Sequence, residues 1–285
     1  MNVKEALQLA KKRLKQCEIE SYAIDAKLIL KKATALSEVE LYTKENVVLT
    51  QEQQSIFLYD LEQREQHKPM AYITGICEFM GLPFVVQEGV LIPRADTETL
   101  VETVLQYHKK EHFTKIIDIC TGTGCIAISL AKYSNIALCG TDISNIALET
   151  AQKNAQKNHV LIKWLQSNLL ESVPKQHFDA IVSNPPYIAT EEIQTLMKSV
   201  KDFEPHLALD GGKDGFYFYQ KIVEQGKQYL KQGGWIFFEI GYQQANAVCN
   251  ILKQNGFLNH MVYQDLAGLD RVVAAQKPFS AIKTS

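Results

Sequence analysis

Hydrophobic positions change their period near residue 90. Before it, Ala6, Leu7, Ala10 and Leu14 recur at helical spacing, and Ile24, Leu28 and Lys31 open a second helix. A third helix starts at Thr50, where Thr50-x-x-Gln53 has the form of a capping box and Ile56, Phe57 and Leu61 supply an apolar face. Residues 1–70 therefore read as a small helical domain. Over 71–90, Gly75, Gly81, Pro83 and Gly89 interrupt β-forming residues, which predicts a hairpin linker.

From Thr97 the two periods alternate. The pattern predicts helices over 97–110, 125–133 and 144–158. It predicts strands over 115–120, 136–141, 161–166, 179–183 and 235–240, with two more near 260–263 and 271–275. Strands alternating with helices imply a mostly parallel sheet of seven strands covered on both faces, an α/β fold filling 91–285. Ligands bind such sheets beyond the carboxyl ends of the strands, so the residues there carry the functional reading.

Two strand ends hold candidate chemistry. The first runs into Asp118-Ile119-Cys120-Thr121-Gly122-Thr123-Gly124. Glycines in a strand-to-helix turn let the backbone approach a ligand that a Cβ would obstruct. Asp142, at the end of the next strand, suits a ribose diol, because a charged acceptor strengthens both hydrogen bonds. Dinucleotide sites share this layout. Here, however, Asp118 would repel a pyrophosphate but suits an amino group, and Cys120 stands where the first glycine of G-x-G-x-x-G belongs. S-adenosylmethionine, cationic at sulfur and free of phosphate, fits better.

The second strand end is Asn184-Pro185-Pro186-Tyr187. A proline stop after a buried strand accounts for Asn-Pro by itself. All four residue types together answer one chemical problem. A carboxamide nitrogen is a poor nucleophile because its lone pair is delocalised, so it must be held with that lone pair facing the electrophile. The Asn184 side-chain oxygen and the Pro185 carbonyl can each accept one N–H of a planar –NH2 group. Both prolines restrict φ and lack a competing N–H, and Tyr187 offers a flat face for stacking. Catalysis would rest on orientation and on electrostatic placement of the nitrogen.

Composition narrows the picture. With 46% hydrophobic and 22% charged residues over 285 positions, the chain has an ordinary soluble balance. A net charge of -2 supplies no global basic field, which disfavours nucleic acid as partner. The six cysteines include no C-x-x-C pair and no metal spacing, and no metal is expected. Scattered thiols, a charged N-terminus without an apolar h-region and the lack of a membrane-length apolar run lead to a cytoplasmic expectation. A monomer is expected. His108 and His112, four apart among Lys109, Lys110 and Glu111, read as a solvated helix end rather than as ligands. The basic residues Lys11, Lys12, Arg13, Lys15, Lys27, Lys31 and Lys32 could touch a partner or ribosomal RNA, but such runs usually form solvated helix faces.

The Asp118–Gly124 loop, Asp142 and Asn184–Tyr187 resemble class I amino-methyltransferases, whose fold is a Rossmann-like sheet. More closely, the chain resembles the HemK-type release factor glutamine methyltransferases. That likeness is carried by Tyr72-Ile73-x-Gly75, Glu78-Phe79-x-Gly81 with Phe84, and Leu91-Ile92-Pro93-Arg94-Ala95-Asp96-Thr97-Glu98. It continues in Phe203-Glu204-Pro205, Ala208-Leu209, Gly211-Gly212, Gly233-Gly234, Glu239-Ile240-Gly241 and Asp270-Arg271. The resemblance implies methylation of the glutamine in the Gly-Gly-Gln motif of class 1 peptide-chain release factors, to N5-methylglutamine, with residues 1–70 recognising the substrate. It implies that Asp118, Ile119, Cys120, Thr121, Gly122, Gly124, Asp142, Asn168 and Leu169 bind the cofactor. Asn184, Pro185, Pro186 and Tyr187 then bind the glutamine, Asn184 lying near both ligands.

The chain departs from the family pattern at Cys120 for glycine, at Asn168-Leu169 for Asp-aromatic, and at Ala95 for proline. Leu169 gives adenine an apolar contact without stacking. Glu239 either faces the ligand or is buried on a backbone partner, and Glu204 reads as a loop anchor. Three alternatives share the chemistry or the docking: methylation of a nucleobase amino group, methylation of a ribosomal-protein glutamine, and a release-factor-binding module without turnover. A flipped base would need a target-recognition region and phosphate contacts that the short helical domain and the negative charge do not provide.

Overall fold

The computed structural model describes residues 1–279, which fall into two units: Met1–Ile76 with Met197–Phe203, and Cys77–Leu196 with Glu204 onward. The first contains α1 (Val3–Gln16), α2 (Tyr22–Thr34), α3 (Glu38–Thr43), α4 (Gln51–Glu65) and α5 (Met70–Thr74). Its core packs Leu7, Ala10 and Leu14 of α1 against Ile29 and Leu30 of α2 and Phe57 and Leu61 of α4. The capping box forms as the sequence predicts. Thr50 Oγ1 accepts the Gln53 N–H at 3.2 Å, and Gln53 Oε1 accepts the Thr50 N–H at 3.0 Å.

The α2 face is a correction. Ile24 is 63% exposed and Leu28 only half-buried, whereas Ala26, Ile29, Leu30 and Ala33 are buried. Ala26 and Ala33 let α2 approach α1 and α4 closely, and Ile29 and Leu30 fill the core from that same inward face. Of the basic residues here, Arg13, Lys27 and Lys32 pair with Glu65, Glu38 and Asp60 within the unit.

The strands β1 (Ile76–Phe79) and β2 (Leu82–Val85) form a two-stranded sheet across a two-residue turn. Met80 at φ 52° and Gly81 at φ 68° are both left-handed, as a type I′ turn demands. There follow α6 (Glu98–Glu111), β3 (Lys115–Ile119), α7 (Cys125–Tyr133), β4 (Ala137–Asp142), α8 (Asn145–Lys157), β5 (Lys163–Gln166) and β6 (Phe178–Ser183). After a short α9 (Lys198–Lys201), counted with the first unit, come α10 (Tyr217–Gly226), β7 (Leu230–Glu239), α11 (Ala245–Gln254), β8 (Leu258–Gln264) and β9 (Asp270–Gln276).

The seven-stranded sheet has the order β5-β4-β3-β6-β7-β9-β8, with every strand pointing the same way except β9, which runs antiparallel to its neighbours β7 and β8. Its strands alternate between two cores, as a sheet covered on both faces requires. Ile116, Val182, Phe237 and Ala274 pack against α6 and α7, while Ile117, Ile181, Phe238 and Val273 pack against α10 and α11. The buried Asn154 of α8 fastens β2 to the sheet. Its Nδ2 donates to the Val85 and Thr123 carbonyls at 3.0 Å, and its Oδ1 accepts the Val85 N–H at 2.6 Å.

The chain leaves β3 for β4 and β5 on one side and returns at β6 on the other. That reversal opens a crevice at the carboxyl ends of β3 and β6. Ile119 and Ser183, the last residues of these strands, are register partners. The two motifs singled out in the sequence therefore begin side by side.

Candidate active site

A cavity of about 240 Å³ lies in this crevice, within the second unit. Cys120, Thr121, Gly122, Asp142, Asn168, Leu169, Asn184 and Pro186 line it, as the sequence leads one to expect. Asp118, Ile119, Gly124, Pro185 and Tyr187 do not. Ile119 faces the α10–α11 core and Pro185 is buried. The Gly124 backbone turns away at φ 79°, and a Cβ there would meet Ala151, Ile128 and Trp164 at 3.0 Å.

Asp118 supports the loop from below. Its Oδ2 accepts the Thr121 hydroxyl at 2.5 Å, while Oδ1 is buried without a hydrogen-bond partner. Burial raises its pKa to about 7, against the pull of the Thr121 hydroxyl. Asp142 shapes the turn itself. Oδ2 accepts the Gly122 N–H at 2.9 Å and Oδ1 the Ser144 N–H at 2.9 Å. Burial raises its pKa too, and these two amides counter the rise. Thr121 N–H completes the turn on the Thr141 carbonyl at 2.9 Å.

Cys120 adopts φ 61°, the left-handed region that favours glycine. The departure from the family pattern is thus a cysteine in a glycine conformation. We expect Cys120→Gly to change unfolding free energy by no more than about 1 kcal/mol, since relief of strain offsets lost packing and the added freedom of the unfolded chain. Cys120→Val, β-branched at positive φ, should cost about 2 kcal/mol. Denaturant unfolding of the three proteins checks both.

Asn168 directs Nδ2 to Glu171 Oε1 at 3.0 Å, leaving its carbonyl oxygen available, and Leu169 is buried at φ 52°. The rest of the lining comes from Leu91 to Arg94, Thr97, Pro205 and Ala208, which belong to the family likeness but were given no site role, and from Gly89, Val90, Leu207, Tyr217 and Phe218, which no motif contains. Glu204, 4% exposed, anchors this wall as the sequence reading proposed. It accepts the Ile92 N–H at 3.3 Å and pairs with Arg94.

Behind Asn184 stands a polar group that sequence reasoning did not assemble. Asn184 Nδ2 donates to Thr97 Oγ1 at 3.4 Å. The Tyr187 hydroxyl donates to Glu239 Oε1 at 3.3 Å. Glu239 is 2% exposed, and burial raises its pKa to about 7. Of the two readings of Glu239, burial holds, with a side-chain rather than a backbone partner. Tyr187 is correspondingly committed at its hydroxyl, and burial and Glu239 push its pKa up. The Tyr187 carbonyl accepts Gln244 Nε2 at 2.9 Å.

The profile of the methyltransferase small domain matches residues 94–255, and that of the PrmC N-terminal domain residues 5–75. A release factor glutamine methyltransferase of Clostridium botulinum is 42% identical over 93% of this chain and 95% of its own length. A protein of the same name from Clostridium acetobutylicum is 40% identical over 96% and 98%. Among solved structures, a methyltransferase from Pyrococcus furiosus covers 81% of this chain and 100% of its own with a TM-score of 0.53, at 18% identity, a likeness of fold. No helix among the described residues is long and apolar enough to cross a membrane, and no group of three or more His, Cys, Asp or Glu side chains there is placed to hold a metal.

Proposed function

The chain belongs to the release factor glutamine methyltransferase family, and from that premise we propose how its cavity serves the reaction. The protein is an S-adenosylmethionine-dependent protein-glutamine N5-methyltransferase that acts on a release factor. When bound, S-adenosylmethionine supplies an electrophilic methyl group on a cationic sulfur. The residues of the β3–β4 end fit that molecule. Asp142 offers a half-buried carboxylate for a ribose diol, the positive φ of Gly122 keeps the loop backbone open, and the unpartnered Asp118 Oδ1 is a buried acceptor beneath the loop. Leu169 would give the adenine an apolar face, and the free Asn168 oxygen would accept its amino group.

The acceptor is the glutamine of the Gly-Gly-Gln motif. Asn184 Oδ1 and the Pro185 carbonyl each accept one of its amide N–H bonds, which turns the nitrogen lone pair toward the methyl carbon. S-Adenosylmethionine would supply the methyl group to that nitrogen, the carbon–sulfur electron pair staying on sulfur as the neutral thioether, and the nitrogen would then release one proton to solvent. No strong base is needed, because the nitrogen becomes acidic once alkylated. Orientation at near-attack distance carries the rate. Tyr187, its hydroxyl on Glu239, keeps the motif rigid. Residues 1–70 recognise the release factor, a role supported by the matched N-terminal profile.

The observation that carries this reading is the register of Ile119 with Ser183, which sets the glycine loop and Asn184 on one cavity. Incubation with labelled S-adenosylmethionine and a class 1 release factor, followed by mass spectrometry, should locate one methyl group on the Gly-Gly-Gln glutamine. Label on a ribosomal protein or on nucleic acid instead would overturn it.

A further inference from the structure

Two prolines in a row can donate no backbone hydrogen bond, so the Asn184–Tyr187 segment is held from its flanks. On the near side Ser183, the last residue of β6, pairs with Ile119 and with Phe238. On the far side the peptide plane joining Tyr187 to Ile188 is gripped at both edges. The Ile188 N–H donates to the Leu209 carbonyl at 3.0 Å, and the Tyr187 carbonyl accepts Gln244 Nε2 at 2.9 Å. The first grip is backbone to backbone. The second depends on one side chain that no motif contains.

Gln244 stands just before α11, 57 positions from Tyr187. Its neighbours decide which end of its amide meets that carbonyl. The Gly241 N–H donates to Gln244 Oε1 at 3.0 Å. A backbone N–H can only donate and a backbone carbonyl can only accept. Exchanging the two ends would set donor against donor at Gly241 and acceptor against acceptor at Tyr187. The Gln244 N–H returns to the Gly241 carbonyl at 2.8 Å and fixes the turn. The buried Tyr219 hydroxyl of α10 lies 3.2 Å from the same Oε1 and 2.9 Å from the Glu239 carbonyl. With the Tyr187 hydroxyl on Glu239 Oε1, these bonds close a ring through Tyr187, Glu239, Tyr219 and Gln244. Gly215 leaves room for it, since a Cβ there would stand 2.4 Å from the Tyr187 oxygen and 2.9 Å from Gln244 Nε2.

We propose that Gln244 is a positioning residue for methyl transfer, its Nε2 fixing the Tyr187 carbonyl and, through the stiff proline pair, the Pro185 carbonyl that orients the substrate nitrogen. This rests on the reading that Asn184 and Pro185 hold the substrate amide. Both prolines lock φ, and Asn184 and Pro185, each preceding a proline, are restricted as well. A displacement at Tyr187 is therefore passed along the motif rather than absorbed by its torsions. Without the Nε2 donor, the plane after Tyr187 can pivot about its remaining bond to Leu209. The groups that meet the Gln244 amide are the Gly241 N–H, the Tyr219 hydroxyl and the Tyr187 carbonyl. Of the charged groups, Glu239 is one residue further along the ring by either tyrosine, and Arg271 of β9 reaches the Ile240 carbonyl at 3.3 Å.

The test is single-turnover methyl transfer to the release factor, with cofactor affinity from calorimetry and an unfolding curve for each protein. Gln244→Met, of similar length but with no N–H to give, should lower the rate by on the order of 10²-fold, the scale for a misplaced reacting group, and leave cofactor affinity unchanged. Gln244→Glu keeps an oxygen for the Gly241 N–H but sets a second carboxylate oxygen against the Tyr187 carbonyl. It should be equally slow at about pH 8, where a carboxyl is ionised. Once protonated, that carboxyl donates to the Tyr187 carbonyl as Nε2 does. Its rate relative to the wild type should recover by about tenfold or more as pH falls from about 8 to about 5, because burial raises a carboxyl pKa into that range. Gln244→Met should show no recovery. Glu239 itself titrates at about 7, and the ratio to the wild type removes its effect. Gln244→Met as fast as the wild type would overturn the inference. So would a Gln244→Glu ratio that stays flat with pH, a result read on one protein whether or not Gln244→Met folds. A loss of cofactor affinity as large as the loss of rate would overturn it too. Transfer by the wild type tests the reading of function, and the contrast among these variants tests this inference alone.

Discussion

Asn184→Ala should lower the single-turnover rate of methyl transfer by about 10²–10³-fold, the loss seen when one preorganised polar partner is removed from a reacting centre. The substitution deletes the acceptor for one substrate N–H and leaves the remaining N–H, on the Pro185 carbonyl, free to swing. It also strands the Thr97 hydroxyl that Asn184 Nδ2 now reaches at 3.4 Å. Cofactor affinity should change by less than about tenfold, the worth of one neutral hydrogen bond. The loop and the Asp142 carboxylate do not depend on Asn184, since Asp142 is held by Gly122 and Ser144. Calorimetry with S-adenosylmethionine and rapid-quench transfer separate the two effects. Equal losses in both would show that Asn184 serves chiefly the cofactor.

The contrast between Asn184 and its supports shows what a sequence makes legible. Asn184, Pro185 and Pro186 announce themselves because their chemistry is written in consecutive residues. The glycine loop and Asp142 follow, since the alternating strand and helix periods already locate the strand ends. Thr97 and Glu239 carry no such local signal. They lie 87 and 55 positions from Asn184, and each becomes meaningful only once β6 and β7 pair and the turn before α6 folds over them. The dense run Leu91–Glu98 was the available hint, because so many specific residues before a helix exceed what a cap needs. Glu204 was legible as an anchor but not its target, the Ile92 amide and Arg94. In the helical unit, α3 and α5 have 6 and 5 residues, too few turns for a period to register. The α2 face that went inward is that of Ala26, Ile29, Leu30 and Ala33, where small and large side chains mix and the alanines admit a close approach.

Gly211→Ala should damage the same step from a position that touches no reacting group. A Cβ at residue 211 would stand 2.7 Å from Tyr187 Cα and 2.8 Å from its carbonyl carbon, with Gly215 Cα at 2.9 Å behind it. All three are backbone atoms, so no rotamer change relieves the clash. Nor can either segment retreat. The Gly211 N–H donates to the Ile188 carbonyl at 2.8 Å, the Ile188 N–H donates to the Leu209 carbonyl at 3.0 Å, and Gln244 holds the Tyr187 carbonyl at 2.9 Å. The strain must therefore move Tyr187, and with it the Pro185 carbonyl and Asn184. Displacement approaching 1 Å costs on the order of 10²-fold in rate, and overpacking costs about 1–3 kcal/mol of stability. Cofactor affinity should stay near that of the wild type, because the loop after β3 lies outside the disturbed segment. Gly226→Ala is the matched control. Its Cβ would meet the Ile181 Cδ1 methyl at 2.8 Å, the movable end of a side chain, so it should lose some stability and keep the transfer rate. A Gly211→Ala protein that transfers methyl groups as fast as Gly226→Ala would mean that the Asn-Pro-Pro-Tyr backbone tolerates displacement, and that orientation of the amide is set elsewhere.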